Sequence, residues 1–496
     1  MRYVHVPSEL SIHEIRDNDA CFSPGRYVRF IPPKRLKHVE YVTLDRLVVL
    51  RDAKVKVKKG EWYSYAEIGD IDVTTGAINF RRLRGYQLPT SSPSLVEKGD
   101  VLVSTVRTYR KGIGYVSSDK PNLVSTNAVM NIGGTTDEVP GLSVLYLLAF
   151  LRTDFFVEQV WSMLNRGVYP RMDKGALNKI CIPIPSDTRV IRYVESLMQA
   201  ILEKEQLIRQ RDVDIKCLTD EELEIGQNTI SPFTYAHPTI EQLKTTTRLD
   251  TGLYREAYKE KLHRISNYDH RAVTFDELGF RLSRGQNLQV SCIGKSIYSD
   301  TPKPNFYRLA LPTDFSEYGT ISKYKWLGNS RKLRTLQEGD IVFGAEGTFR
   351  VVVFSGAPER TITNIHGIVL RSDKAGMVKR VFAGTWLRYI SQWGLIDDIA
   401  VGGHGGSMAQ SYWHNILVPK FPEEKQEEIA KLYHNPAPKP TTIPTLDGFV
   451  EWHRWWNKEL GIWELDSGMK ALQSTLEAVQ EQIINDEKVI IPFDRE

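Results

Sequence analysis

Apolar and polar positions alternate in short bursts along much of this chain. Segments 41–50 (YVTLDRLVVL), 100–106 (DVLVSTV) and 112–116 (GIGYV) carry β-branched and aromatic residues in short runs, and so do 340–345 (DIVFGA), 350–356 (RVVVFSG) and 366–370 (HGIVL). Each run stops at Gly, Pro, Ser or Asp, the pattern of strands separated by turns. A helical spacing follows in each half, over 142–165 and over 378–399. Each helix leads to a proline-rich strip, IPIP at 182–185 and VPKFP at 418–422. Proline cannot donate to a helix or a sheet ladder, so these strips mark exits from globular domains.

Beyond the first strip the period changes to a heptad. Val194, Leu197, Ile201, Ile208, Ile215 and Leu218 fall on one seam, with Lys204 and Arg211 at intervening core sites. Asp187 is placed to cap this helix. At about 1.5 Å per residue, 188–222 makes a rod of about 50 Å. The second half ends likewise, with Leu465, Met469, Leu472, Leu476, Val479 and Ile483 spaced by three and four. The two segments can pair as an antiparallel coiled coil, or each can pack on its own domain.

The halves also match in order. EKGDVL at 97–102 corresponds to QEGDIV at 337–342. TVRTYRKG at 105–112 corresponds to GTFR at 347–350, and the segment 164–185 to 400–422. IRDNDACFSPGRY from Ile15 corresponds to TRLDTGLYREAY from Thr247. A nearly constant offset over half the chain predicts two related domains of ordinary size rather than a solenoid.

Composition adds class. With 41% hydrophobic and 25% charged residues the chain reads as globular. No apolar run approaches the roughly 18 residues of a membrane span, and Met1–Leu10 does not look like a secretory signal, so no membrane partner and a cytoplasmic location are expected. Cys21, Cys181, Cys217 and Cys292 form no CxxC pair, which suggests structural thiols and no metal. Net charge is only +4, but it is unevenly placed. From Arg26 to Lys59 stand Arg26, Arg29, Lys34, Arg35, Lys37, Arg46, Arg51, Lys54, Lys56, Lys58 and Lys59 against Glu40, Asp45 and Asp52; the stretch 187–224 is acid-rich. The basic stretch suits a polyphosphate partner, or equally a solvated face.

Catalytic motifs are missing from the sequence. There is no GxxxxGK[ST], HExxH or GxSxG. Asn435-Pro436 does not continue into the aromatic tetrapeptide of an adenine amino-methyltransferase, and GGHGG around His404 reads as a turn before the second strip.

Taken together, the openings Arg16-Asp17 and Arg248-Leu249-Asp250, the pairs Gly99-Asp100 and Gly339-Asp340, the GTFR turn and the proline strips followed by heptads resemble the specificity subunit of type I restriction-modification systems. The resemblance implies an α+β fold: two tandem related target-recognition domains, each followed by a long helix, the helices pairing as an antiparallel coiled coil. Expected bounds are 1–186 for the first domain, 187–226 for the spacer helix, 227–422 for the second domain and 423–496 for a distal helical region. The last departs from the family in its Pro- and Trp-rich insertion, 434–463, read either as a docking surface or as a satellite core. The implied function is recognition of a bipartite double-stranded DNA site with a fixed unread gap, without catalysis by this chain. Implied partners are DNA adenine methyltransferase (M) subunits and restriction/translocase (R) subunits, with S-adenosylmethionine, ATP and Mg2+ held by those partners. Candidate DNA contacts are Lys54, Lys56, Lys58, Arg107, Thr108, Tyr109, Arg110, Lys111, Thr348 and Arg350. The rivals are a recognition subunit of another phage-defence or modification system, and a metal-dependent nuclease with carboxylates such as Asp340 and Glu346.

Overall fold

Each burst of apolar residues contains a strand, and a common core of strands is built twice in the computed structural model; a short pair, Val4–His5 with Arg29–Phe30, occurs in the first half alone among the described residues. The structure describes residues 3–493 except 6, 18–19, 21, 23–26, 28, 32–35, 165–170, 173–174, 176–178, 228–231, 269–270, 357–359, 403–404 and 443. Two compact units emerge: residues 1–206 with 439–457 and 468–496, and residues 207–438 with 458–467.

Unit 1 contains β1 (Val39–Thr43), β2 (Val48–Leu50), β3 (Trp62–Ala66), β4 (Arg81–Arg84), β5 (Ser94–Leu95), β6 (Val101–Ser104), β7 (Ile113–Tyr115), β8 (Leu123–Ser125), β9 (Val129–Thr135) and β10 (Cys181–Pro185). Its central sheet runs β2-β9-β6-β7, a second sheet runs β4-β3-β8-β5, and β10 pairs with β1. Unit 2 repeats the plan with β11 (Ala272–Thr274), β12 (Arg281–Arg284), β13 (Ile297–Ser299), β14 (Tyr307–Leu309), β15 (Lys325–Gly328), β16 (Ile341–Gly344), β17 (Val351–Val353), β18 (Thr361–Ile362), β19 (Gly367–Arg371) and β20 (Leu417–Pro419). Here the central sheet is β12-β19-β16-β17, the second is β13-β15-β14-β18, and β20 pairs with β11. The second sheets share three strands, β4-β3-β8 and β15-β14-β18, and in both the parallel pairing recurs, β3 with β8 and β14 with β18; the fourth strand lies on opposite edges, β5 beside β8 and β13 beside β15. The proline strips are therefore closing strands. Each gives its carbonyls and its few N–H groups to one strand of its own unit, β10 to β1 and β20 to β11.

Three predicted elements are subdivided, among them the helix expected over 378–399, which is two helices, Met377–Gln392 and Leu395–Ile399, parted at Gly394 (φ 77°). The run 41–50 is interrupted by a helical turn, Leu44–Leu47. The helix expected over 142–165 is two helices, α1 (Val144–Leu151) and α2 (Asp154–Met163). Thr153 explains the break, because its side chain accepts from the Phe156 N–H and starts a new helix.

The Gly-Asp pairs anchor the central sheets. Gly99 (φ 99°) and Gly339 (φ 79°) take the left-handed conformation that suits glycine. Their N–H groups donate to Val116 O (2.8 Å) and Phe354 O (2.6 Å). The next residues, Asp100 and Asp340, are each 1% exposed. Each accepts the backbone N–H three residues earlier, from Glu97 at 2.8 Å and Gln337 at 2.7 Å. A buried carboxylate also needs a cation. Asp100 receives Arg51 Nε at 3.0 Å, and Asp340 receives Arg371 Nε at 2.8 Å and Nη2 at 2.5 Å.

The two arginines come from different strands. Ile132 faces Val101 as Leu370 faces Ile341, so position 133 corresponds to 371. Residue 133 is glycine, and a Cβ there would lie 3.3 Å from the Arg51 side chain. Unit 1 thus reaches the aspartate from the residue after β2, with glycine leaving the space that unit 2 fills with its arginine.

The spacer helix α3 (Thr188–Ile225) has 38 residues, a length of about 57 Å. Asp187 starts it by accepting the Arg189 N–H at 2.9 Å. Residues 188–206 belong to unit 1 and 207–225 to unit 2. The remaining helices used here are α4 (Met377–Gln392), α5 (Glu423–Tyr433), α6 (Phe449–Asn457) and α7 (Ile462–Ile484). Within unit 1, Lys204 lies beside Gly468, while Met198 and Ile201 share a cavity wall with Leu476 and Gln480. Rising numbers on one helix meet falling numbers on the other, so these parts of α3 and α7 run antiparallel. Val194, Leu197, Ile201, Ile208, Ile215, Leu465, Met469, Leu472, Leu476, Val479 and Ile483 are all buried; Leu218 is half-buried. Within unit 1, α3 also contacts its own domain, where Glu195 accepts the Ser143 N–H at 2.9 Å. In unit 2 the acid-rich part of α3 meets Arg388 through Asp212 and the Tyr389 hydroxyl through Asp220 at 2.6 Å.

The polar sites in the heptad are met by the insertion. Lys204 Nζ donates to Asn457 Oδ1 of α6 and lies 5.5 Å from the Trp456 ring centroid. In unit 2, Arg211 Nη2 donates to Lys458 O at 2.8 Å. Phe449, His453 and Asn457 are buried and Trp452 Nε1 donates to Thr442 O at 2.8 Å, so α6 forms a satellite core. Trp455 alone of its tryptophans stays 63% exposed.

Two outcomes are expected. Asp340→Ala leaves Arg371 uncompensated and should cost about 3–5 kcal/mol in chemical denaturation, while Asp340→Leu with Arg371→Met should cost less than either single change. Burial pushes the Lys204 amine down to about 8 from an ordinary 10.5. Between these values the unfolded chain holds a proton that the folded chain lacks, so stability rises with pH across that window. Lys204→Met should flatten the rise in denaturation curves collected from pH 7 to 11.

Candidate nucleic-acid interface

Alternation along 53–58 builds the basic face of unit 1. Val55 and Val57 pack inward on Tyr63, Tyr65 and Val124, which turns Lys54, Lys56 and Lys58 outward. The segment is held extended by Val55 N–H to Pro93 O (2.9 Å) and Val57 N–H to Ser91 O (3.2 Å). Lys54 Nζ donates to Ser94 Oγ (2.8 Å) and Asn127 Oδ1 (2.5 Å), and Lys58 pairs with Glu61 at 2.9 Å. The hydrogen bond from Lys58 to Glu61 raises its pKa, so it stays charged.

Beside this segment the structure adds residues that the sequence pattern does not single out. The guanidinium groups of Arg82 and Arg84 on β4 lie 4.6 and 4.1 Å from the ring centroid of Trp62, which is 40% exposed. In unit 2 the equivalent strand pair stacks Arg308 on Trp326 at 5.4 Å and on Tyr324 at 4.7 Å. A guanidinium laid on a ring can still present its planar edge to phosphate or guanine; Arg84 already commits Nη1 to Gly60 O at 2.7 Å. The signal was present in composition: from 281 to 334 stand Arg281, Arg284, Lys295, Lys303, Arg308, Lys323, Lys325, Arg331, Lys332 and Arg334 against Asp300, Asp314 and Glu317.

The predicted loops occupy equivalent places. Met172 N–H bonds to Thr105 O and Met408 N–H to Ala345 O, both at 2.8 Å, so each loop is tied to the segment before its closing strand. Thr105 N–H also bonds Ala128 O at 2.9 Å, next to the Asn127 that holds Lys54, which joins loop and lysine segment along one edge. Within the loops the residues divide. Thr108 is wholly buried and its hydroxyl donates to Ser104 O at 2.6 Å, so it is a structural residue and leaves the set of DNA contacts. Tyr109 packs edge-on against Trp161 at 4.5 Å, and Lys111 pairs with Asp154 at 2.7 Å. Arg350 donates through Nη1 to Phe315 O, which turns it toward its own domain. Arg110 and Thr348 are exposed and Arg107 half-exposed. Arg107 has φ 51°, where the equivalent loop uses Gly347 at 79°. A left-handed arginine is unusual and strained by roughly 1–3 kcal/mol.

The carboxylates named for a nuclease are otherwise engaged. Asp340 is enclosed beneath Arg371, and Glu346 pairs with His366 at 3.0 Å on the surface. Among the described residues no group of three or more His, Cys, Asp or Glu could hold a metal ion. No described helix is long and apolar enough to cross a membrane. Burial raises the Cys181 thiol to about 11, while Cys217 and Cys292 are exposed. His404, Cys21, Arg26, Lys34 and Arg35 lie outside the described residues.

No protein-family model matches the sequence, and no curated protein matches it. Solved structures do. One, described as the basis of complex assembly and conformational transition of the type I R-M system, shares 17% identity over 91% of this chain and 99% of its own, with a TM-score of 0.32. The HsdS subunit from Thermoanaerobacter tengcongensis shares 17% identity over 91% and 98%, also at 0.32. The type I restriction-modification S subunit from M. genitalium shares 12% over 92% and 98%, at 0.42. At scores below 0.5 these are distant likenesses, and the functional reading stands on this chain's own duplication and charge.

Replacing Lys54, Lys56 and Lys58 together by Ala should lower the salt dependence of duplex binding, log K against log salt, by about 2.7, which is three phosphates at about 0.9 each. Arg107→Ala with Arg110→Ala should weaken binding to a cognate site more than to random duplex. Unchanged affinity at physiological salt would remove both arginines from the interface.

Proposed function

We propose that this chain is the non-catalytic DNA-recognition subunit of a type I restriction-modification complex. The observation that carries the reading is the duplication: a four-stranded central sheet of one strand order, a three-stranded core of the second sheet and a closing-strand pair occur twice, each unit stacks arginine on an aromatic ring, and the long helix α3 contributes residues to both units. A protein duplicated in this way is suited to two short half-sites, with the spacer helix setting the number of unread bases. Each basic face supplies phosphate contacts that position its unit, and the exposed arginines read base edges.

In this reading methylation and cleavage are the work of partners. DNA adenine methyltransferase subunits bring S-adenosylmethionine, and restriction/translocase subunits, where present, bring ATP and Mg2+. The paired helices and their flanking segments offer the partners a stiff surface, and the complex acts in the cytoplasm.

The test is a map of methylated adenines in cells that express this chain with its methyltransferase. The expected result is one motif of two short defined halves separated by a constant number of undefined bases. A contiguous motif, or methylation that does not depend on this chain, would overturn the proposal.

A further inference from the structure

Unit 2 carries a cleft of about 240 Å3 beside its central sheet. Arg281, Arg334 and Arg371 line it together with the hydroxyls of Ser283, Thr335 and Thr363. At about 30 Å3 per water, the space holds roughly eight waters, room for a tetrahedral oxyanion and part of its hydration.

Thr363 is the informative member. It is 2% exposed, and its Oγ1 is buried without a hydrogen-bond partner. Such a hydroxyl costs free energy unless something that accepts a hydrogen bond enters the cleft. The arginines are only partly engaged. Arg371 uses Nε and Nη2 on Asp340 and Thr335 O, and Arg334 uses Nη1 on Arg284 O at 3.3 Å. Arg281 pairs with Asp373 at the surface and Arg371 with buried Asp340, which leaves Arg334 as the uncompensated charge among the described residues that line the cleft. A single positive charge beside free donors matches the single negative charge of a phosphodiester.

The duplicated unit sharpens the assignment. Position 337 is Gln in unit 2, whereas its counterpart Glu97 pairs with Arg51 at 2.9 Å. Thr363 corresponds to Ser125 by the pairing of β18 with β14 and of β8 with β3, and the Ser125 hydroxyl donates to Thr126 O. Unit 1 has spent both features on itself.

We propose that this cleft binds a backbone phosphate of the nucleic acid that unit 2 contacts, an assignment that rests on the DNA-recognition reading. Thr363 donates one hydrogen bond, Arg334 supplies the charge, and Arg371 positions the anion through its remaining N–H groups.

The test uses the full-length chain in two measurements, 31P relaxation with inorganic phosphate and salt-dependent binding of a duplex. Thr363→Val removes an unpartnered hydroxyl, so the thermal midpoint should hold or rise, while phosphate binding should weaken about fivefold, the worth of one hydrogen bond. Arg334→Ala should lower the salt slope of duplex binding by about 0.9. Absence of saturable phosphate binding, or equal binding by wild type and Thr363→Val, overturns the cleft. So does a duplex-binding chain whose slope is unaltered by Arg334→Ala. A chain that binds no duplex overturns the recognition reading and with it the nucleic-acid source of the phosphate.

Discussion

A buried carboxylate held by one guanidinium fixes each central sheet. Asp100 and Asp340 sit at the head of a strand that is paired on both sides, and each binds its own turn as well as an arginine, Arg51 from the residue after β2 or Arg371 from the neighbouring β19. Loss of that ion pair would leave a charge in the interior with no water to solvate it, a penalty of several kcal/mol. The register of the central strands, and hence the position of the loops that follow them, depends on this pairing. Basic residues can occupy the outer segments because the interior is already specified by so short a motif.

Much of this was legible in the sequence. The Gly-Asp turns, the proline strips and the heptads declared the duplication, because each is a local necessity: positive φ, a missing donor, a buried seam. The partners of those features were not legible. Nothing local shows that Arg51 and Arg371 serve the same role, since they reach the aspartate from different strands and Gly133 matters only by what it lacks. The stacked arginines were hidden for a similar reason. Trp62 and Arg84 are 22 positions apart and meet only through strand pairing. Among the candidate contacts, Lys54, Lys56 and Lys58 were readable from alternation, whereas the burial of Thr108 depends on a hydrogen bond four residues back that no pattern announces.

The insertion and the polar breaks in the heptad are one feature seen twice. Lys204 and Arg211 interrupt an apolar seam, and residues 434–463 interrupt the expected distal helix. The structure places the second against the first, with Asn457 Oδ1 accepting a hydrogen bond from Lys204 and the Lys458 carbonyl one from Arg211. A charged side chain retained in such a seam sets register at a cost in stability.

The exchange of arginine between strands limits how the halves can be recombined. A hybrid that took β2 and Arg51 from the first half but β9's counterpart with Arg371 from the second would crowd two cations around one acid. The reverse hybrid would supply none, so any exchange between the halves must cut outside the central sheet and move it whole.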